Sequence, residues 1–394
     1  MTFGRSEFEA RYERVRTALR ETEMDAVLVT NPETVEYLGA GAGLDLAWYR
    51  QFSRSIDFPT IAVVPEAGVP TLIVHNVFED VVRQATDGAC ELRTYYEGGP
   101  GVRSYVPPTV DTLTEVCPAE PNVGIEIGSG TTTDLKLGVP LGALQAIRER
   151  LPHAEFLDAG DLLRSIRMAK TDAELGCIRR ATAAIDAAFE RVFAEIEPGM
   201  SETDVVAICN RLVSEHGARP VWTLACTNPF EILPRPDVTL DAGDTLFLDI
   251  GATVGGYHSD YNRMAVVGDP SAEQMEHNRI AAAVTNELAD AVEPGATPAD
   301  IVERCRAEYR SRGLGPTLGL TSETKIGHSI GLTLSEAPQL TGYDETALEP
   351  GMVLCIEPAV LTDEAFFMSE QIVVVTDDGS EIVSRADQEL ASIT

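Results

Sequence analysis

Four carboxylates and one imidazole in the second half of this 394-residue chain stand among residues that otherwise read as core. Asp249 interrupts the apolar run TLFLDIGA, and Glu357 interrupts the apolar run MVLCIEPAV. Each is followed by a second acid on another strand-like stretch: Asp260 in GGYHSDYNRMAVV, 11 residues on, and Glu370 in FFMSEQIVVVT, 13 residues on. An unpaired charge buried in such a run costs several kcal/mol or more, so these acids must be paired, protonated or metal-bound. Taken singly, any of them could be an ion pair with arginine. Taken together, four converging carboxylates repel one another and cannot all stay ionised without cations. Two divalent ions would neutralise them, and carboxylates bridging metals about 3.5–4 Å apart give the geometry of two-metal hydrolysis. His328, between glycine and serine in GHSIGLTLSEAP, would add a nitrogen ligand; alone, it could equally be a general base or a satisfied loop residue. Oxygen ligands with one imidazole suit manganese, iron or cobalt as well as zinc.

Something must bring those acids together, and the sequence repeats itself around them. IEPGMSETDVVAICNRLVSEHG (196–217) matches VEPGATPADIVERCRAEYRSRG (292–313) at a constant offset of 96, with Pro198 on Pro294, Gly199 on Gly295 and Cys209 on Cys305. LDAGDTLFLDIG (240–251) matches LEPGMVLCIEPA (348–359) at an offset of 108, which sets Asp249 on Glu357. Two related halves, about 172–269 and 271–376, each with helices followed by strands, are expected, and an approximate two-fold would bring their acids to its axis. A long helix begins after Thr171, where Glu174 three residues on makes a capping box.

Upstream, helix and strand signals alternate. An amphipathic helix over 6–22, the strand DAVLVT, the hairpin TIAVVPEAGVPTLIVH, the strand NVGIEIG and a helix around LGALQAIRERLP make an α/β domain, and nothing between Met1 and about Leu162 shows a catalytic cluster. The net charge of −33 comes from 63 acids against 30 bases, only three of them lysines (Lys136, Lys170 and Lys325). The acids are spread along the chain, as on a surface adapted to high salt, and nothing offers phosphate a basic face, so nucleic acid is not an expected partner. No apolar run approaches the roughly 20 residues that cross a bilayer. The charged, amphipathic N-terminus lacks the apolar core of a signal peptide, and a cytoplasmic protein is expected. Seven scattered cysteines without a Cys-x-x-Cys pair read as reduced core residues.

On these residues the chain resembles the pita-bread metallopeptidases, which include aminopeptidase P, prolidase and methionine aminopeptidase. The resemblance implies an α/β N-terminal creatinase-like domain (1–164) and an α+β C-terminal pita-bread domain with internal two-fold duplication (165–394). It places the family's five metal ligands on Asp249 (LDIGA), Asp260 (HSDYNR), His328 (GHSIG), Glu357 (IEPAV) and Glu370 (SEQIVVV). It further implies two divalent ions, with manganese or cobalt foremost and iron or zinc as alternatives. A hydroxide bridging them would attack a polarised amide, with Glu357 either handling the proton of that water or acting purely as a ligand. The implied substrate is a small peptide or amide of the Xaa-Pro dipeptidase or aminopeptidase type, and the implied assembly is a homodimer.

Three positions depart from the family's usual pattern. Ser335, in Ser335-Glu336-Ala337-Pro338, stands where prolidase-like members carry an imidazole; Arg235, in LPRP, stands at a second histidine position; and Met368 stands where an arginine is common. Ser335 could position an oxyanion but not shuttle a proton. Arg235 could bind a substrate carboxylate or simply pair with an acid. His258, two residues before Asp260 and so on its strand face, could compensate for a lost imidazole. The departures keep two other functions open: a non-peptidase C–N hydrolase, such as the creatinase and ectoine hydrolase relatives of this fold, and a non-catalytic pita-bread binding module.

Overall fold

The computed structural model describes residues 3–39, 59–95, 104–127, 139–227, 233–314, 325–362 and 365–394. The chain divides into two units, Met1–Arg167 and Met168–Thr394.

In the first unit, β1 (Ala26–Val29), β2 (Ile61–Pro65), β3 (Thr71–His75), β4 (Glu91–Tyr95), β5 (Asn122–Ile125) and β6 (Glu155–Asp158) form one mixed sheet in the order β4-β3-β2-β1-β5-β6. The three central strands, AVLV, IAVVP and TLIVH, are buried along their whole length, as a sheet covered on both faces requires. The β2–β3 hairpin pairs Ile61 with Ile73. The Arg5–Arg20 helix buries Phe8, Tyr12, Val15 and Leu19, a stripe at three- and four-residue spacing.

Each half of the second unit opens with two helices, Asp172–Glu195 and Glu202–Glu215 in the first and Ala272–Ala289 and Pro298–Ser311 in the second, and each of the four starts at a complete capping box. The boxes Ser201/Asp204 and Thr297/Asp300 lie at the offset of 96 seen in the sequence. The duplication is equally literal in the backbone. Gly199 N donates to Leu240 O at 2.8 Å and Gly295 N to Leu348 O at 2.8 Å; Gly243 N donates to Val267 O at 2.8 Å and Gly351 N to Val375 O at 2.9 Å.

Each half supplies a sheet. β7 (Arg219–Cys226), β8 (Thr245–Val254) and β9 (Tyr257–Val267) form an antiparallel set, and β17 (Ala391–Ile393) joins β9 in parallel, in the order β17-β9-β8-β7. β10 (Gly327–Ser329), β11 (Glu336–Gln339), β12 (Val353–Ile356), β15 (Gln371–Thr376) and β16 (Gly379–Ile382) form the second sheet in the order β11-β10-β12-β15-β16. β13 (Ala359–Leu361) and β14 (Phe366–Met368) make a small hairpin between them in sequence. Behind the second sheet, Ile280, Val284 and Leu288 of one helix and Ile301 and Cys305 of the next pack with Leu354, Ile356, Val373 and Val375. No described helix is long and apolar enough to cross a membrane.

Candidate metal centre

All five residues singled out by the sequence lie on the two sheets of the second unit or at their strand ends. In the β8–β9 ladder Asp249 faces Asn262 and Gly251 faces Asp260. Asp249 and Asp260 therefore stand diagonally on one sheet face, two residues apart, with no side chain on Gly251 to separate them. In the other half, Ile356 pairs with Gln371 at the end of the β12–β15 ladder, so Glu357 and Glu370 follow as opposed residues just beyond it. His328 pairs with Cys355 on the neighbouring edge of β12.

The side chains converge. Carboxylate oxygens of Asp249, Asp260 and Glu370 all lie within 4.8 Å of one another. His328 Nε2 is 3.9 Å from Asp260 Oδ2 and 3.6 Å from Glu357 Oε1, so the imidazole ties the fourth acid to the other three. His328 Nδ1 lies 3.1 Å from the Ser329 carbonyl, which can only accept; Nδ1 therefore carries the proton and Nε2 turns its lone pair toward the acids.

Two glycines make this approach possible. Gly327 has φ +151°, and a Cβ there would run into the Cys355 carbonyl across the ladder. A Cβ on Gly331 would strike the Glu336 carboxylate. The GHSIG stretch is thus a strand pressed against β12 on one side and against Glu336 on the other.

With protein charges alone the site is strained electrostatically. Burial pushes Asp249 up to about 6, and burial together with the Asp249 charge pushes Glu357 up to about 7. Burial first, then the neighbouring acids, holds Asp260 and Glu370 well above the ordinary carboxylate range. Burial and the Lys325 charge take His328 down to about 4, so the imidazole is neutral. Asp249 Oδ1, Asp260 Oδ1 and Glu370 Oε1 are buried without a hydrogen-bond partner among the described residues. Buried orphan acceptors aimed at one point, beside a neutral imidazole, are what a divalent cation requires, and the residues present fit such ions.

Other groups support the centre, and sequence reasoning did not single them out. Asn262 Nδ2 donates to Glu370 Oε2 at 3.1 Å. The buried Arg263 donates to the Glu370 carbonyl at 2.6 Å and to the carbonyls of Asn262, Ala386 and Asp387. Lys170, also buried, donates to Ser329 Oγ at 3.3 Å and pairs with Glu336 at 3.7 Å. Lys325 Nζ donates to Ser335 Oγ at 3.3 Å. The clue for the lysines was their scarcity, three in the whole chain; in the fold Lys170 reaches Ser329, next to His328, and Lys325 lies three residues before His328.

The expected substrate-side residues are placed differently from one another. His258 is buried on β9, on the Asp260 side of the strand, and its backbone N–H donates to Gly331 O at 2.8 Å. Ser335 is exposed and also donates to Gln339 Oε1 at 3.2 Å. Arg235 holds Asp237 through Nε and Nη2, at 3.2 and 2.8 Å, which is the plain ion-pair alternative for that residue. Met368 ends β14.

Comparison with known proteins bears on the same features. Residues 176–377 match the metallopeptidase family M24, and residues 11–169 match the creatinase/prolidase N-terminal domain. The chain is 29% identical over 360 residues to "Probable dipeptidase PepE" of Mycobacterium tuberculosis, covering 88% of this chain and 89% of the relative. It is 28% identical over 262 residues to an Xaa-Pro dipeptidase of Pyrococcus horikoshii, covering 65% and 74%. Its fold matches the solved Xaa-Pro dipeptidase from Bacillus anthracis with a TM-score of 0.81 at 22% identity, covering 98% of this chain and 99% of the other. The expected architecture, a creatinase-like domain followed by a duplicated pita-bread domain, is therefore the observed one. With its C-terminal unit matched across the segment that carries all five converging residues, the chain belongs to metallopeptidase family M24.

Proposed function

We propose that this chain is a dinuclear metal-dependent dipeptidase that cleaves the amide bond preceding a C-terminal proline, with Asp249, Asp260, His328, Glu357 and Glu370 as metal ligands. The observation that carries the reading is the convergence of buried, unpartnered carboxylate oxygens on a neutral imidazole. The named peptidase relatives supply the substrate class. Bound divalent ions, for which we favour manganese or cobalt, would neutralise the acids, polarise the scissile carbonyl and acidify the attacking water.

The chain's own residues do the rest. Asp249, Asp260 and Glu370 form the buried floor, and the Ser329 carbonyl fixes the His328 tautomer. The Glu357 side chain is 27% exposed against 5% for Asp260, so it is the acid that substrate and water can reach. It therefore takes the proton released as water attacks and returns it to the departing proline nitrogen. A homodimer in solution belongs to the same proposal, to be checked by the mass of the assembly. So does a cytoplasmic location.

The test is hydrolysis of Ala-Pro before and after chelation. Turnover should vanish in chelator and return with manganese or cobalt; turnover indifferent to chelation would sink the proposal. Assays on creatine and ectoine beside the dipeptide decide the alternative suggested by Ser335, and cleavage of those substrates alone would transfer the reading to a non-peptide C–N hydrolase.

A further inference from the structure

A dipeptide carries its free carboxylate into a centre already lined by four acids, where a like charge is repelled unless a cation receives it. The carboxylate lies one residue beyond the scissile bond, about 3.8 Å of chain, so its receiver must stand close to the metal ligands. Among the described residues, Arg263 and Lys170 contact the strands of the centre, and Arg235 is the expected substrate-side cation. Arg263 is buried and spent on backbone carbonyls behind Glu370. Lys170 is buried and held by Met168 O, Ser329 Oγ and Glu336. Arg235, further along the chain, is engaged with Asp237.

Lys325 differs from all of these. It is exposed, and its one described hydrogen bond goes to the neutral hydroxyl of Ser335, leaving donors of the ammonium to spare. Ser335 is itself anchored on Gln339, the cross-strand partner of His328, so the tether runs back to the ligand strand. Lys325 also lies only three residues before His328 on the same chain segment.

We propose that Lys325, oriented by Ser335, is the binding residue that receives the free α-carboxylate of a dipeptide substrate. The assignment rests on the dipeptidase reading above and deepens it. A longer peptide would present a neutral amide at this point and lose the ion pair, so the lysine measures substrate length as well as charge. The serine then has a task of its own: it holds a cation in place instead of supplying one.

The experiment compares the manganese-loaded protein with its Lys325→Met and Lys325→Arg variants on Ala-Pro and on the C-terminal amide of Ala-Pro. Lys325→Met should lower kcat/KM for Ala-Pro about tenfold to a hundredfold, the range for a charged hydrogen-bond pair, chiefly through KM. The amide should be cleaved equally well by both proteins, and Lys325→Arg should recover most of the loss. Equal proportional losses on acid and amide, or no loss on either, would overturn the assignment. Calorimetric binding of L-proline and L-prolinamide provides a readout that needs no turnover. If Lys325→Met weakens proline but not prolinamide, the assignment stands even where no dipeptide is cleaved and the hydrolase reading falls. If proline binds both proteins alike, the assignment fails whatever the turnover.

Discussion

Glu370 is gripped at both ends: Asn262 donates to its carboxylate and Arg263 to its carbonyl, from adjacent positions on β9. Asn262 also faces Asp249 across the β8–β9 ladder, so one amide sits against two of the clustered acids. Partners of this kind fix the direction of a ligand, and their loss typically costs 10- to 100-fold in metal affinity. Asn262→Leu, which keeps volume but removes the donor, should weaken divalent-ion binding by about that factor in a competition titration with a chelator, while the chain stays folded. Unchanged affinity would mean that Glu370 is aimed by its backbone alone, through Arg263.

At the scale of elements, the GHSIG strand is set by what presses on it. Lys170 and Glu336 form a pair with side chains 1% and 8% exposed, and the lysine also bonds Ser329, next to His328. Removing one member of a buried pair leaves the other charge uncompensated, typically at a cost of about 3–5 kcal/mol. Lys170→Met should therefore lower the denaturation midpoint severely, and adding Glu336→Gln should recover much of the loss; a double variant no better than the single one would show that the pair is not coupled. Much of this level was legible in the sequence. The repeat at offsets of 96 and 108, the capping box at Thr171 and the acids inside apolar strands each rest on a local pattern that tertiary contacts reinforce. The sheet edges of the first unit were not legible: β4 (ELRTY) and β6 (EFLD) are short and partly exposed, and their polar residues leave no apolar run to read. The Lys170–Glu336 pair was hidden for a different reason, since its members lie 166 residues apart and no local pattern links one to the other.

For the molecule as a whole, the centre couples metal, protons and folding. Asp249 at about 6 and Glu357 at about 7, with Asp260 and Glu370 also raised well above the ordinary carboxylate range, each hold a proton more tightly in the folded chain than in the unfolded one. Their contribution to stability is therefore greatest at low pH and is lost as pH rises from about 4 through about 7. His328, taken down to about 4, runs the other way and gains stability as pH rises, but it is one group against four. Divalent ions remove the penalty on the charged carboxylates. The difference in Tm between metal-loaded and chelated protein should thus widen steadily between pH 4 and pH 7, as differential scanning calorimetry would record. A difference that stays constant would show that the four acids do not titrate in the folded chain.

The claim on which the rest depends is that these five side chains hold two ions and that the ions are needed for peptide hydrolysis. Stepwise addition of manganese to chelator-stripped protein, with bound metal and Ala-Pro turnover followed on the same sample, tests it directly. Turnover should rise with occupancy and level off at two equivalents per chain, and Asp260→Ala should abolish both signals. Full turnover without bound metal, or two equivalents bound with equal affinity by Asp260→Ala, would contradict it.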